Sequence, residues 1–119
     1  MAFEIVERSG GLFTAKVSGK LKKSEIEQGQ RAAIDVMRTG AKVRFLIIAE
    51  DFQGWDNEGD WGDISFQMKY DAQIEKIALV GEKEWKDLVS IFVGKGLRSV
   101  DIRYYQPAQL ALAQAWVAK

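Results

Sequence analysis

Two runs of alternating apolar and polar residues open the chain, Phe3-Glu4-Ile5-Val6-Glu7 and Leu12-Phe13-Thr14-Ala15-Lys16-Val17-Ser18-Gly19, with Ser9-Gly10-Gly11 between them. A period of two belongs to a strand and a glycine pair to a tight turn, so this stretch predicts a β-hairpin. The period then changes. Ser24 and Glu27 have the spacing of a capping box, and Ile26, Gly29, Ala33, Val36 and Met37 fall on one side of a helix ending at Gly40. Val43 to Ala49 and Ile74 to Val80 are almost continuously apolar, the pattern of strands covered on both faces in a parallel sheet. Between them the pattern predicts a loop from Glu50 to Gly59 and a helix from about Asp60 to Ala72. Trp85, Leu88, Val89 and Phe92 have the i, i+3, i+4, i+7 spacing of a core-facing helix closed by Gly94 and Gly96, and a strand from Leu97 to Tyr104 follows. Pro107 suits the first turn of a last helix whose inward side is Leu110, Ala113, Trp116 and Val117.

The resulting order is β-β-α-β-α-β-α-β-α, an α/β fold with a single mixed, mostly parallel five-stranded sheet and four helices. At 119 residues there is room for one core, so residues 1–119 are expected to form one domain.

Charge narrows the function. Lys plus Arg and Asp plus Glu each count 17, and no basic run interrupts the balance, so nucleic acid is not an expected partner. The chain contains neither Cys nor His, which removes thiol nucleophiles, thiolate and imidazole metal sites, and every His-dependent triad. No cofactor is expected. The start has no basic or apolar leader, and no apolar run approaches the roughly 20 residues of a membrane span. These features point to a cytoplasmic protein, with peripheral membrane contact as an open alternative.

The one unusual passage is the loop after the third strand, where Glu50, Asp51, Asp56, Glu58, Asp60 and Asp63 accompany Trp55 and Trp61. It lies at the carboxyl end of a central strand, where open α/β sheets place their ligand crevice. Its spacing lacks the glycine and closing glutamate of a calcium loop, and carboxylates at a helix start are favoured by the helix dipole, so no metal is expected. Paired carboxylates able to catalyse would need burial that so charged a loop does not promise. Phosphate-cradling glycine motifs are absent.

The helix expected over Asp60 to Ala72 is apolar on two sides, with Trp61, Ile64, Met68 and Ala72 on one and Phe66 and Tyr70 opposite. Ile91 lies off the inward stripe of the next helix. Such second sides pack against each other, a partner, a ligand or a membrane surface.

With Phe52-Gln53-Gly54-Trp55 after the third strand, Trp61 opening the next helix, Ile77-Ala78-Leu79-Val80-Gly81 before Trp85, and Trp116 near the end, the chain resembles the SpoIIAA-like branch of the STAS superfamily over essentially its whole length. Anti-sigma factor antagonists of this fold carry Asp-Ser-Ser-Gly where this chain has Asp56-Asn57-Glu58-Gly59, so the phosphorylation switch of that group does not carry over. The branch is also similar in organisation to SEC14-like (CRAL-TRIO) lipid-binding domains. That resemblance implies a non-enzymatic binding domain that holds an apolar or lipid-like ligand between sheet and mobile helices, with Phe52, Trp55, Trp61, Phe66, Tyr70, Trp85 and Ile91 touching ligand or membrane. The segment from Phe52 to Tyr70 is expected to be the moving part. The alternative is a regulatory interaction module that buries the same aromatic residues against a protein partner or in a homodimer.

Overall fold

In the computed structural model, which describes residues 3–9, 11–55, 69–87, 89 and 100–119, the first two strands form the expected hairpin. Strand β1 (Phe3–Ser9) runs antiparallel to β2 (Leu12–Leu21), with a register shift between Ile5 and Glu7. Helix α1 (Lys23–Met37) then crosses to β3 (Val43–Trp55), which pairs in parallel with β2. Strand β4 (Ile74–Val80) adds in parallel to β3, and β5 (Asp101–Tyr105) adds in parallel to β4. The strands lie side by side in chain order, β1-β2-β3-β4-β5. A 3₁₀ turn, Pro107–Gln109, leads into α2 (Leu110–Ala118), where the proline takes the first-turn place its fixed φ and missing N–H suit.

The two faces of the sheet are covered differently. On one, Ala33 and Met37 of α1 pack with Phe13, Val43, Ile77, Leu79 and Ile102. On the other, Ala113 and Val117 of α2 pack with Leu46, Ile48, Ala78 and Val80. Successive residues of β3 and β4 thus go to opposite cores, which is why both strands read as unbroken apolar runs.

Helix α2 ends on side chains supplied by the sheet. Arg44 donates to the Val117 carbonyl at 2.9 Å and Lys76 to the Trp116 carbonyl at 3.0 Å, so two strand cations meet the negative end of the helix. The guanidinium carbon of Arg103 and the Lys76 ammonium lie 4.7 Å and 5.1 Å from the Trp116 ring centroid. Replacing Lys76 by Met is expected to cost about 1–2 kcal/mol, as for loss of one charge-assisted bond at a partly exposed site. Amide hydrogen exchange would then quicken in α2 ahead of the sheet; equal protection of α2 in both proteins would show that the cap contributes nothing.

Three expectations need correction. The Ser24–Glu27 capping box is not formed. Lys22 occupies the N-cap with extended backbone and no side-chain bond, and Glu25 instead accepts the Phe3 N–H at 3.1 Å, tying the helix start to β1. The expected loop from Glu50 is strand as far as Trp55, because β2 is long enough to keep pairing with it. For the same reason residues 52–55 of the expected moving segment are held in the sheet. Of the four expected helices, α1 and α2 lie among the described residues; the other two fall mostly outside them. The helix over Asp60–Ala72 falls mostly outside the described residues; Lys69 and Tyr70 are helical and Asp71–Gln73 is a 3₁₀ turn. The helix containing Trp85 begins with the 3₁₀ turn Lys83–Trp85, while Leu88 and Phe92 lie outside the described residues.

Candidate binding groove

Strand β3 outruns β4. Its pairing with β4 ends at Ile48 opposite Val80, whereas its pairing with β2 continues to Trp55 opposite Leu21. In that extension the register slips twice: Val17, Gly19 and Leu21 of β2 face Ala49, Phe52 and Trp55. Each slip inserts one extra residue into β3, and each contains a backbone of positive φ, 51° at Asp51 and 95° at Gly54. A bulge of this kind twists a strand and turns its side chains away from simple alternation. Asp51 is the only non-glycine residue with positive φ among those described, a conformation that aspartate tolerates better than bulky residues do.

The bulges explain the Phe-x-Gly-Trp spacing. Phe52 is turned inward and buried with Val17 and Leu21. Gly54 passes beneath the indole of Trp85, where an added Cβ would lie 3.6 Å from the ring. The Phe52 and Trp85 rings meet edge to face, with centroids 5.0 Å apart and an interplanar angle of 69°. Trp85 itself is brought there by the turn that follows β4, where Gly81 donates to the Tyr105 carbonyl at 3.0 Å.

Between the end of β3 and this turn lies an open groove of about 450 Å³, lined by Ala49, Asp51, Phe52, Gln53, Glu82, Glu84 and Trp85. Its position at the carboxyl ends of adjacent parallel strands is where α/β sheets commonly hold ligands. Three carboxylates border it, and no Lys or Arg lines it among the described residues. The Glu82 side is fixed by Tyr104 of β5, whose hydroxyl donates to the Glu82 carbonyl at 2.7 Å. Burial, and second the Glu82 carboxylate, push the Tyr104 pKa above its ordinary 10.0. The phenol therefore stays protonated through the neutral range; its contribution to stability is complete below pH 10 and lost as pH rises through the displaced value. Among the described residues no cluster of potential ligands could hold a metal ion, and no helix is long and apolar enough to cross a membrane.

Of the seven residues expected at the site, Phe52 and Trp85 come together here. Trp55 closes β3, paired through its backbone with Leu21. Tyr70 packs instead beside the core under α1, with the Lys69 ammonium 5.4 Å from its ring centroid. Trp61, Phe66 and Ile91 lie outside the described residues. Sequence reasoning missed Ala49, Asp51, Gln53, Glu82 and Glu84. Asp51 and Gln53 flank Phe52, and Glu82 and Glu84 stand just before Trp85, so both sets were available once the two strand ends were seen as neighbours.

The family model described as SpoIIAA-like matches residues 12–118. The chain belongs to the SpoIIAA-like family. Within its matched span fall the whole parallel sheet, both bulges and every residue that lines the groove. A solved structure similar to this SpoIIAA-like chain is that of an uncharacterized protein from the DUF3478 family, with a SpoIIAA-like fold, from Shewanella loihica PV-4. The two share 18% sequence identity with a TM-score of 0.74, covering 98% of this chain and 94% of the other, so the likeness is one of fold. No curated protein matches the chain.

Proposed function

We propose that this SpoIIAA-like chain is a non-enzymatic binding domain that takes a small molecule with an apolar body into the groove at the carboxyl ends of β3 and β4. The observation that carries this reading is the groove itself: two bulges and a turn hold the Phe52–Trp85 pair as an apolar wall beside about 450 Å³ of open space. That volume falls in the range of small-molecule sites, and the Phe52–Trp85 pair is the apolar part of a groove in which four of the seven lining residues are polar. Catalysis has less support. The carboxylates that border the groove are exposed, whereas a catalytic acid or base usually draws on burial.

The lipid-like ligand implied by the SEC14-like resemblance is one member of this class, and contact with a membrane surface would be the route by which such a ligand enters or leaves. The aromatic wall is the element that either would share.

The test is native mass spectrometry on protein purified from its own source, together with titration of 4-phenylbutanol followed by tryptophan fluorescence. Trp85→Ala removes the wall, and Ala49→Leu fills the floor. Both variants are expected to weaken binding at least about tenfold, the size of effect that follows from losing one aromatic contact surface. Trp85→Ala also lowers stability by about 0.5–1.5 kcal/mol through loss of the edge-to-face pair, so binding is compared well below the melting temperature. A chain that carries no small molecule, with alcohol binding absent or indifferent to both variants, would refute the reading.

A further inference from the structure

The two edges of the sheet are unlike. At β1 the pairing with β2 is interrupted by a bulge between Ile5 and Glu7, a device that turns an outer edge away from a straight ladder. At the other end β5 pairs with β4 from Asp101 to Tyr105 without a shift, and its outer edge has no strand partner among the described residues. Gly81 donates to the Tyr105 carbonyl, so Tyr105 and, by the period of two, Arg103 and Asp101 turn their main-chain groups toward β4. Ile102 and Tyr104 turn theirs outward. On the α2 face of the same strand, the Asp101 carboxylate and the Arg103 guanidinium lie 3.9 Å apart, and each side chain is more than half exposed.

We infer that β5 is the surface through which two copies of this chain pair, its edge running antiparallel to itself about Ile102. In that register Ile102 of each copy exchanges both main-chain hydrogen bonds with its counterpart, using the groups that point outward. The residues on either side form non-hydrogen-bonded pairs, where side chains come closest, and each such pair sets Asp101 of one copy against Arg103 of the other. A two-fold interface needs one patch that complements itself, and an acid and a base two residues apart on a strand supply it. Centring the pair on Arg103 instead would oppose two guanidinium groups and use main-chain groups already turned toward β4. Apolar surface borders the charged pair: Leu112, 60% exposed, stands one turn before Trp116 on α2, and the Trp116 ring lies 6.3 Å from Tyr105 and beneath Arg103. The two sheets would join into one continuous sheet, whatever the groove holds.

Sedimentation equilibrium of the full chain across the micromolar range is expected to show a monomer–dimer equilibrium. Arg103→Asp and Asp101→Arg each place like charges in both cross-pairs, so each variant alone should dimerise at least about tenfold more weakly. Mixed in equal amounts, the two variants restore both opposite-charge pairs and should associate about as well as the parent. Circular dichroism checks that each is folded. Amide exchange needs no substitution: at Ile102 and Tyr104 it should slow as the parent is concentrated, while at Arg103 it stays unchanged. A parent that remains monomeric, a dimer indifferent to both substitutions, or folded variants that fail to associate on mixing would overturn the pairing. Slow exchange at Ile102 and Tyr104 in dilute monomer would overturn it too, since the edge would then be covered within one chain.

Discussion

Replacing Phe13 by alanine is expected to lower the unfolding free energy by about 3–5 kcal/mol, the range for deleting a buried aromatic side chain. Phe13 is 1% exposed and sits in β2, the strand that joins the hairpin to the parallel part of the sheet. Its ring stacks on Phe45 of β3 with centroids 5.7 Å apart, and Arg8 of β1 covers it at 5.0 Å. Beneath it lie Ala33 and Met37 of α1. One side chain therefore meets two neighbouring strands and a helix, and the space it leaves cannot be closed by moving any one of them. Urea unfolding followed by far-ultraviolet circular dichroism measures the loss. Phe13→Leu should fall between the parent and the alanine variant. A loss below about 1 kcal/mol for Phe13→Ala would mean that the α1 face of the sheet repacks far more freely than a close-packed core allows.

Gly11→Ala is expected to cost about 1–3 kcal/mol through crowding rather than through backbone angle. A Cβ at this position would press into the carbonyl oxygen of Lys42, a main-chain atom that no side-chain rotation can remove. The same place is where β3 is anchored, since Arg44 donates its N–H to the Gly11 carbonyl at 2.8 Å. Relieving the clash means loosening that bond and the start of the parallel pairing. Gly19 provides the contrast: its φ is +60° and an added Cβ there meets nothing within 4 Å. Asparagine tolerates that conformation, so Gly19→Asn should be mild while Gly11→Asn is as damaging as alanine. Equal effects at the two sites in thermal melts would contradict the steric account.

Much of the fold was legible because its signals were local. Val43–Ala49 and Ile74–Val80 read as doubly covered strands, since consecutive residues face cores under different helices. Pro107 marked the start of the last helix, and Ala113 and Val117 were correctly given its inward side. The errors arose where a long-range partner overrides a local rule. Ser24 has the right neighbour for a cap, but Glu25 is drawn to the Phe3 amide of another element. The acidic stretch Glu50-Asp51 reads as loop because charge and strand seldom coincide, and only β2 pairing shows that it is strand with two bulges. Of the site, Phe52 and Trp85 stood out as aromatic residues near strand ends. Their meeting depends on a positive φ at Asp51 and on the adjacency of β3 and β4, neither of which a residue's own chemistry records.

The side-by-side order of the strands also bears on how the chain acquires its structure. The hairpin joins two strands adjacent in the chain, and each later strand lies on the outer edge of the one before it. No strand has to be threaded between two that are already paired. Each closure therefore spans a single crossover, which keeps the entropy lost in forming the sheet spread over several modest steps. A ribosome delivering the chain from its amino end presents the strands in the order in which the sheet can grow. The groove draws its two walls from opposite sides of a crossover, the end of β3 and the turn that follows β4, so it exists only where both strands are paired.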